Sequence, residues 1–241
     1  MSDRQQSDRH FSWPSGPGVN VAAGGIVLWV LLEFAFRRGL APALAGPLDT
    51  ATGADMLSVA VAFTLLAVII GRLGRRTGID RTESIGTISR KAVGAGLAGV
   101  VGYVLLYGSA VIVASALFEL NPSAGMATTN TGDTPTWAPI LLLAVNGVLV
   151  PITEEIAWRG VIQTALTDAY GSAIAIVLTA AAFVLKHLIV DLAVSPFRTT
   201  SLVILAVILC GLRARYGTTS SIVTHLVVNS LATVPFALAL L

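Results

Sequence analysis

The chain has 241 residues, of which 55% are hydrophobic and only 12% charged, and its mean hydropathy is +0.82. Soluble domains carry roughly 25% charged residues, so the composition excludes a soluble globular protein and points to a polytopic membrane protein. The net charge of +2 is too small and too scattered for nucleic-acid binding, and the single cysteine, Cys210, excludes an intrachain disulfide and a cysteine-ligated metal.

Residues 1–17 form a polar tail with Arg4, Arg9, Pro14 and Pro17, read as disordered and followed by a retained first span rather than a cleaved signal. The first apolar run, 19–36, is long enough to cross ~30 Å of hydrocarbon at 1.5 Å per residue. It contains Glu33, whose place near Arg37 and Arg38 predicts that it snorkels to the interface. Residues 39–55, rich in Pro and Gly, read as a loop. The second run is 56–71. The segment 72–91 that follows holds six Lys/Arg against two acids and marks the cytoplasmic side. In the third run, 92–118, Gly94, Ala98 and Gly102 form a small-residue face suited to close helix contact.

The loop 119–137 has no Lys or Arg and reads as external. A fourth helix runs from about 138 to 167, too long for one straight crossing, and Pro151 predicts a kink one turn before two glutamates. A turn at Tyr170-Gly171 leads to a fifth helix over 172–192, a sixth over 199–212 and a seventh over 219–241. With the N-terminus in the cytoplasm, ten Lys/Arg fall inside and three, Arg37, Arg38 and Arg198, outside. The expected fold is an all-α polytopic membrane bundle of seven or eight transmembrane helices in the lipid bilayer. It comprises the tail 1–17, N-terminal helices over 18–136 and a C-terminal helical core over 137–241.

The fourth helix carries Glu154-Glu155 and Arg159. Adjacent carboxylates in hydrocarbon cost several kcal/mol unless paired or hydrated, so they read as functional or as an interfacial turn. Glu155 and Arg159, four apart on one face, predict an ion pair. Glu154, about 100° round the helix, has no partner in its own segment and is the candidate base. His187, in the middle of the fifth helix, lies sixteen residues past Gly171, as Glu154 lies sixteen before Tyr170. An antiparallel helix pair therefore sets the two at one depth. Asp191, one turn on, is either the acceptor for this imidazole or an interfacial carboxylate. Phe183, one turn earlier, is a wall or a core aromatic, and Lys186 snorkels or pairs with a glutamate. In the seventh helix His225 and Asn229 share a face, which suits an oxyanion site or an interhelical clasp.

Together these groups can activate a water and stabilise a tetrahedral oxyanion. Glu154, His187 and His225 would alternatively fill three zinc positions, although the usual pattern of two His at i and i+4 is absent.

Glu154-Glu155-x-x-x-Arg159, Phe183-x-x-x-His187 and His225-x-x-x-Asn229, in this order, resemble the three motifs of the CAAX-protease and bacteriocin-processing (Abi) family of intramembrane endopeptidases, which includes the type II CAAX prenyl endopeptidases. The resemblance covers about 137–240. It implies a helical fold with a conical cavity open to the cytosol and bilayer. Glu154 and His187 would activate the water, His225 and Asn229 would form the oxyanion hole, and Glu155, Arg159 and Phe183 would support the site. It leaves open whether no cofactor is needed or one divalent metal such as zinc. The substrate it implies is a prenylated CAAX C-terminus or, in a prokaryote without such proteins, a membrane peptide or bacteriocin precursor. Ala157-Trp158 and Lys186 depart from the family pattern. Competing readings are a non-catalytic membrane immunity or scaffold protein of the same fold, and a transporter with a Glu154–His187 proton relay. The absence of a visible repeat weighs against transport.

Overall fold

The computed structural model describes residues 17–80, 85–118, 135–192 and 195–240. Most of the tail, residues 81–84 of the basic segment and nearly all of the loop read as external lie outside the described residues. Among the described residues, seven helices are long and apolar enough to cross a membrane: α1 Gly18–Leu48, α2 Ala51–Arg76, α3 Arg90–Leu117, α4 Trp137–Tyr170, α5 Ser172–Asp191, α6 Pro196–Tyr216 and α7 Thr218–Ala239. No strand occurs among the described residues. Leucine and isoleucine side chains such as Leu105, Ile112 and Leu231 face outward, as an integral membrane protein requires when hydrocarbon is its solvent.

The stretch 39–55, expected as a loop, is mostly helix. A single π turn, Phe36–Leu40, closes with the Ala41 N–H on the Phe36 carbonyl, and α1 continues through Pro42 to Leu48. Pro42 opens the new helical segment, where its missing N–H costs little. The chain then reverses at Asp49, which adopts the left-handed conformation short polar residues tolerate. The Thr50 hydroxyl caps α2 by accepting the Gly53 N–H at 3.2 Å. A Cβ on Gly53 would collide with the Trp137 ring, so glycine lets α2 reach the start of α4.

The core between α1, α2, α4 and α5 is built from edge-to-face aromatic pairs. Ring centroids are 5.0 Å apart for Trp29–Phe63, 6.0 Å for Trp29–Trp158 and 5.4 Å for Trp158–Phe183. Aromatic pairs in this geometry are worth about 0.5–1.5 kcal/mol each beyond their buried area.

α3 packs on α7, but not through the face the spacing suggested. Gly94 and Gly102 look into open space, whereas a Cβ on Gly96 would come within 2.7 Å of Val223 and one on Gly99 within 2.6 Å of Leu212 and Thr224. Thr224 donates its hydroxyl to the Gly96 carbonyl at 2.7 Å. The contact thus uses glycines three apart and adds an interhelical hydrogen bond, both common devices where lipid supplies no hydrophobic drive.

α4 is irregular around the glutamates. π-helical stretches Leu143–Leu149 and Glu155–Ile162 flank the short segment Val150–Glu154. Pro151 has no N–H to offer the carbonyl four residues back, Gly147, or five back, Asn146. Side chains of α7 take those places: Ser230 donates to Gly147 O and Asn229 to Asn146 O, each at 3.1 Å. The proline defect thereby locks α7 to α4 beside Glu154.

α4 and α5 are joined by Gly171 at φ +80° and α6 and α7 by Gly217 at φ +85°, values that favour glycine. Both hairpins set neighbouring helices antiparallel, as the turn at Tyr170-Gly171 predicted.

Candidate active site

The irregular stretch of α4 places its two adjacent glutamates in different ion networks. Glu155 and Arg159 form the predicted pair, Oε1 to Nη1 at 3.0 Å, with both side chains fully buried. The same Oε1 accepts the His225 Nδ1–H at 2.8 Å, so α7 is tied to the pair. The Arg159 guanidinium lies over the Phe183 ring, 4.2 Å from its centroid, which supplies a cation–π contact in a dry site.

Glu154 has no partner in its own segment, as expected, and is charge-paired from α5. Lys186 Nζ lies 2.6 Å from its Oε1. The same ammonium is 2.9 Å from Oε2 of Glu33 in α1. Glu33 does not snorkel: it is buried and accepts the Trp29 indole N–H at 2.8 Å. The π turn after Ala35 explains the difference, because α1 carries on well past Glu33 and keeps it inside the bundle. Lys186 is likewise buried rather than snorkelling. Oε2 of Glu154 is 3.8 Å from His225 Nε2, too long for a hydrogen bond but within reach of one shared water.

His187 shares a hydrogen bond between Nδ1 and the Phe183 carbonyl at 2.9 Å. A carbonyl oxygen only accepts, so Nδ1 carries the hydrogen and the neutral ring presents the Nε2 lone pair. Asp191 does not serve this imidazole. It binds Arg37 at 3.2 Å and Arg198, because those two guanidiniums reach it at the end of α5. By the same logic the carboxylate on His225 Nδ1 turns Nε2 to the cavity, as an acceptor when the ring is neutral and a donor when doubly protonated. Asn229 spends one N–H on Asn146 O and keeps a second.

Glu154, His187, His225 and Asn229, from three helices, line one cavity of about 230 Å³, walled in part by Phe183. Its lining reaches outward to Arg37 and Arg198. Sequence reasoning offered Lys186 as a partner for a glutamate but did not find Glu33, Asn146 or Arg37 as neighbours of this site. A signal existed for Glu33: one acid and one base, each in an apolar span, are expected to meet.

A zinc site needs three protein ligands at about 2 Å around one point. Among the described residues no three His, Cys, Asp or Glu side chains form such a group. The Lys186 ammonium on Glu154 also sits where a dication would have to compete with it. These residues do not fit a metal, and no step is routed through one.

Residues 136–231 match the family model of the type II CAAX prenyl endopeptidase Rce1-like proteins, the family that the three motifs resemble. The match runs from the start of α4 through most of α7. No curated protein and no solved structure matches the chain.

Proposed function

We propose that the Rce1-like domain makes this chain an intramembrane endopeptidase, with Glu154 as the proton acceptor for water. The observation that carries the reading is the convergence of Glu154, His187, His225 and Asn229 on one cavity. In the proposed reaction, water bound by the His187 Nε2 lone pair gives a proton to Oε2 of Glu154 as its oxygen bonds to the substrate carbonyl carbon. The carbonyl electron pair moves to oxygen, where the second N–H of Asn229 and a protonated His225 Nε2 donate to it. Collapse of the tetrahedral intermediate breaks the C–N bond, and the proton held by Glu154 passes to the leaving amine. Fixed donors in a water-poor cavity favour the developing oxyanion far more than bulk water does.

A scaffold of the same fold would explain Asn229 and His225, which clasp α7 to α4. It does not explain His187, whose ring bonds a carbonyl in its own helix and faces the cavity. The test is cleavage of a farnesylated CAAX reporter peptide and an unmodified membrane peptide in proteoliposomes. Wild-type protein is expected to cleave at least one, and Glu154→Ala and His187→Ala neither while still folding in detergent. Full activity in either variant rejects the assignment.

The membrane orientation selects the substrate. Arg213 and Tyr216 lie with Thr87 and Ser89 around one polar recess, so the basic loop 72–91 and the end of α6 share one end of the bundle. The cavity lining reaches toward the other end, at Arg37 and Arg198. The positive-inside rule, with the N-terminus in the cytoplasm, puts that mouth outside and favours an exported membrane peptide. The cytosol-facing cavity implied by the resemblance needs the reverse orientation and favours a lipidated cytosolic C-terminus. A membrane-impermeant maleimide on Arg198→Cys in sealed vesicles decides between them, since the native Cys210 is buried.

A further inference from the structure

Lys186 neighbours His187 in the chain, yet its ammonium joins two carboxylates from other helices, Glu154 of α4 at 2.6 Å and Glu33 of α1 at 2.9 Å. It is buried among aromatic faces, with the Phe63, Phe183 and Trp29 ring centroids at 5.3, 5.4 and 5.8 Å, at the wall of the same cavity. Glu33 is anchored in turn by the Trp29 indole at 2.8 Å and lies 3.6 Å from the Arg37 guanidinium. An ammonium has no acceptor and three donors, so in a dry site its direction is set by the anions around it. Here those anions draw it onto Oε1 of Glu154 and leave Oε2 facing His225 and the cavity.

We propose that Lys186, held by Glu33, is a positioning residue for Glu154: it decides which carboxylate oxygen meets the water. Helix α1, outside the Rce1-like stretch, thereby supplies part of the site. The inference rests on the peptidase reading. A bridge that served packing alone would cost stability when broken and leave turnover in the folded protein unchanged.

The test compares wild type, Glu33→Gln, Lys186→Met and the double variant Lys186→Met/Glu33→Gln for kcat, KM and melting temperature in detergent. The double variant leaves Glu154 buried without its ammonium, so it is expected to melt below wild type, to keep KM and to lose about 10²-fold in kcat, the loss typical of a misplaced catalytic group. Glu33→Gln, which keeps Lys186 on Glu154, is expected to lose about tenfold in kcat and decides the matter alone if the double variant does not fold. Unchanged kcat in a folded double variant, or in Glu33→Gln when it is the deciding variant, overturns the inference. Wild-type protein that cleaves neither peptide overturns the peptidase reading, and the positioning role with it. An active wild type with an equally active double variant overturns only the latter.

Discussion

Glu154 and Glu155 are adjacent in the chain and both buried, yet they belong to networks of different reach. Glu155 is held by Arg159 one turn away in its own helix and passes that charge to His225. Glu154 is held by Lys186 from α5, which is held by Glu33 from α1, and Arg37 links that end to Asp55 of α2 and to Asp191. One glutamate has a local counter-ion and orients a histidine. The other has a long-range counter-ion and keeps one oxygen toward the cavity. The difference teaches that two equal side chains, adjacent in the chain, are set to different tasks in the proposed reaction by where their partners come from.

The sharpest way to break this contrast is to remove the local counter-ion. Arg159→Met leaves Glu155 buried without its guanidinium, and breaking a buried pair from one side costs about 3–5 kcal/mol. Thermal unfolding in detergent is expected to show a large loss of melting temperature. An unchanged melting curve would mean that Glu155 is not held by charge.

Asn229 sharpens the contrast from the α7 side. Asn229→Ala removes the donor on Asn146 O and the proposed oxyanion donor together. It is expected to lower kcat by about 10²-fold, as loss of one oxyanion donor does. The accompanying stability cost, about 0.6 kcal/mol for an average interhelical bond in a membrane, is much smaller. Loss of stability with kcat intact would make the residue a clasp and nothing more.

Smaller effects follow elsewhere. Gly99→Leu drives a side chain into Leu212 and Thr224 and is expected to lower the melting temperature, while Gly102→Leu on the open face of α3 is expected to leave it unchanged. Equal effects at both positions would contradict the packing of α3 on α7. A strong chelator is expected to leave cleavage unchanged, measured as the initial rate before and after dialysis, because Lys186 already neutralises Glu154. Loss of activity that zinc restores would contradict this.

Much of the fold was legible because lipid imposes a simple rule on the chain. Long apolar runs with basic ends gave seven spans among the described residues, and Gly171 gave the α4–α5 hairpin whose helices bring Glu154 and His187 to one cavity. The Glu155–Arg159 pair was legible because i,i+4 spacing is a property of one helix. What failed depended on other helices or on small departures from α geometry. Pro42 and Pro47 read as loop residues, since nothing in the sequence announced the π turn that carries α1 past them. The wrong glycine face of α3 was chosen because three- and four-residue spacings are both present, and only the position of Thr224 selects between them. Glu33 read as snorkelling because it was judged within its own span, and for Lys186 pairing with a glutamate stood beside snorkelling, although opposite charges buried in separate spans are each other's natural partner.

The central claim is that the carboxylate of Glu154 takes the proton of the attacking water. It is tested most directly by kcat of Glu154→Gln, measured on protein whose melting temperature is determined in the same preparation. Glutamine keeps the shape, can still accept from Lys186 and cannot take the proton. The account predicts a loss of at least about 10³-fold in kcat, with a folded protein and an intact Lys186–Glu33 pair. Turnover within a few-fold of wild type would contradict it.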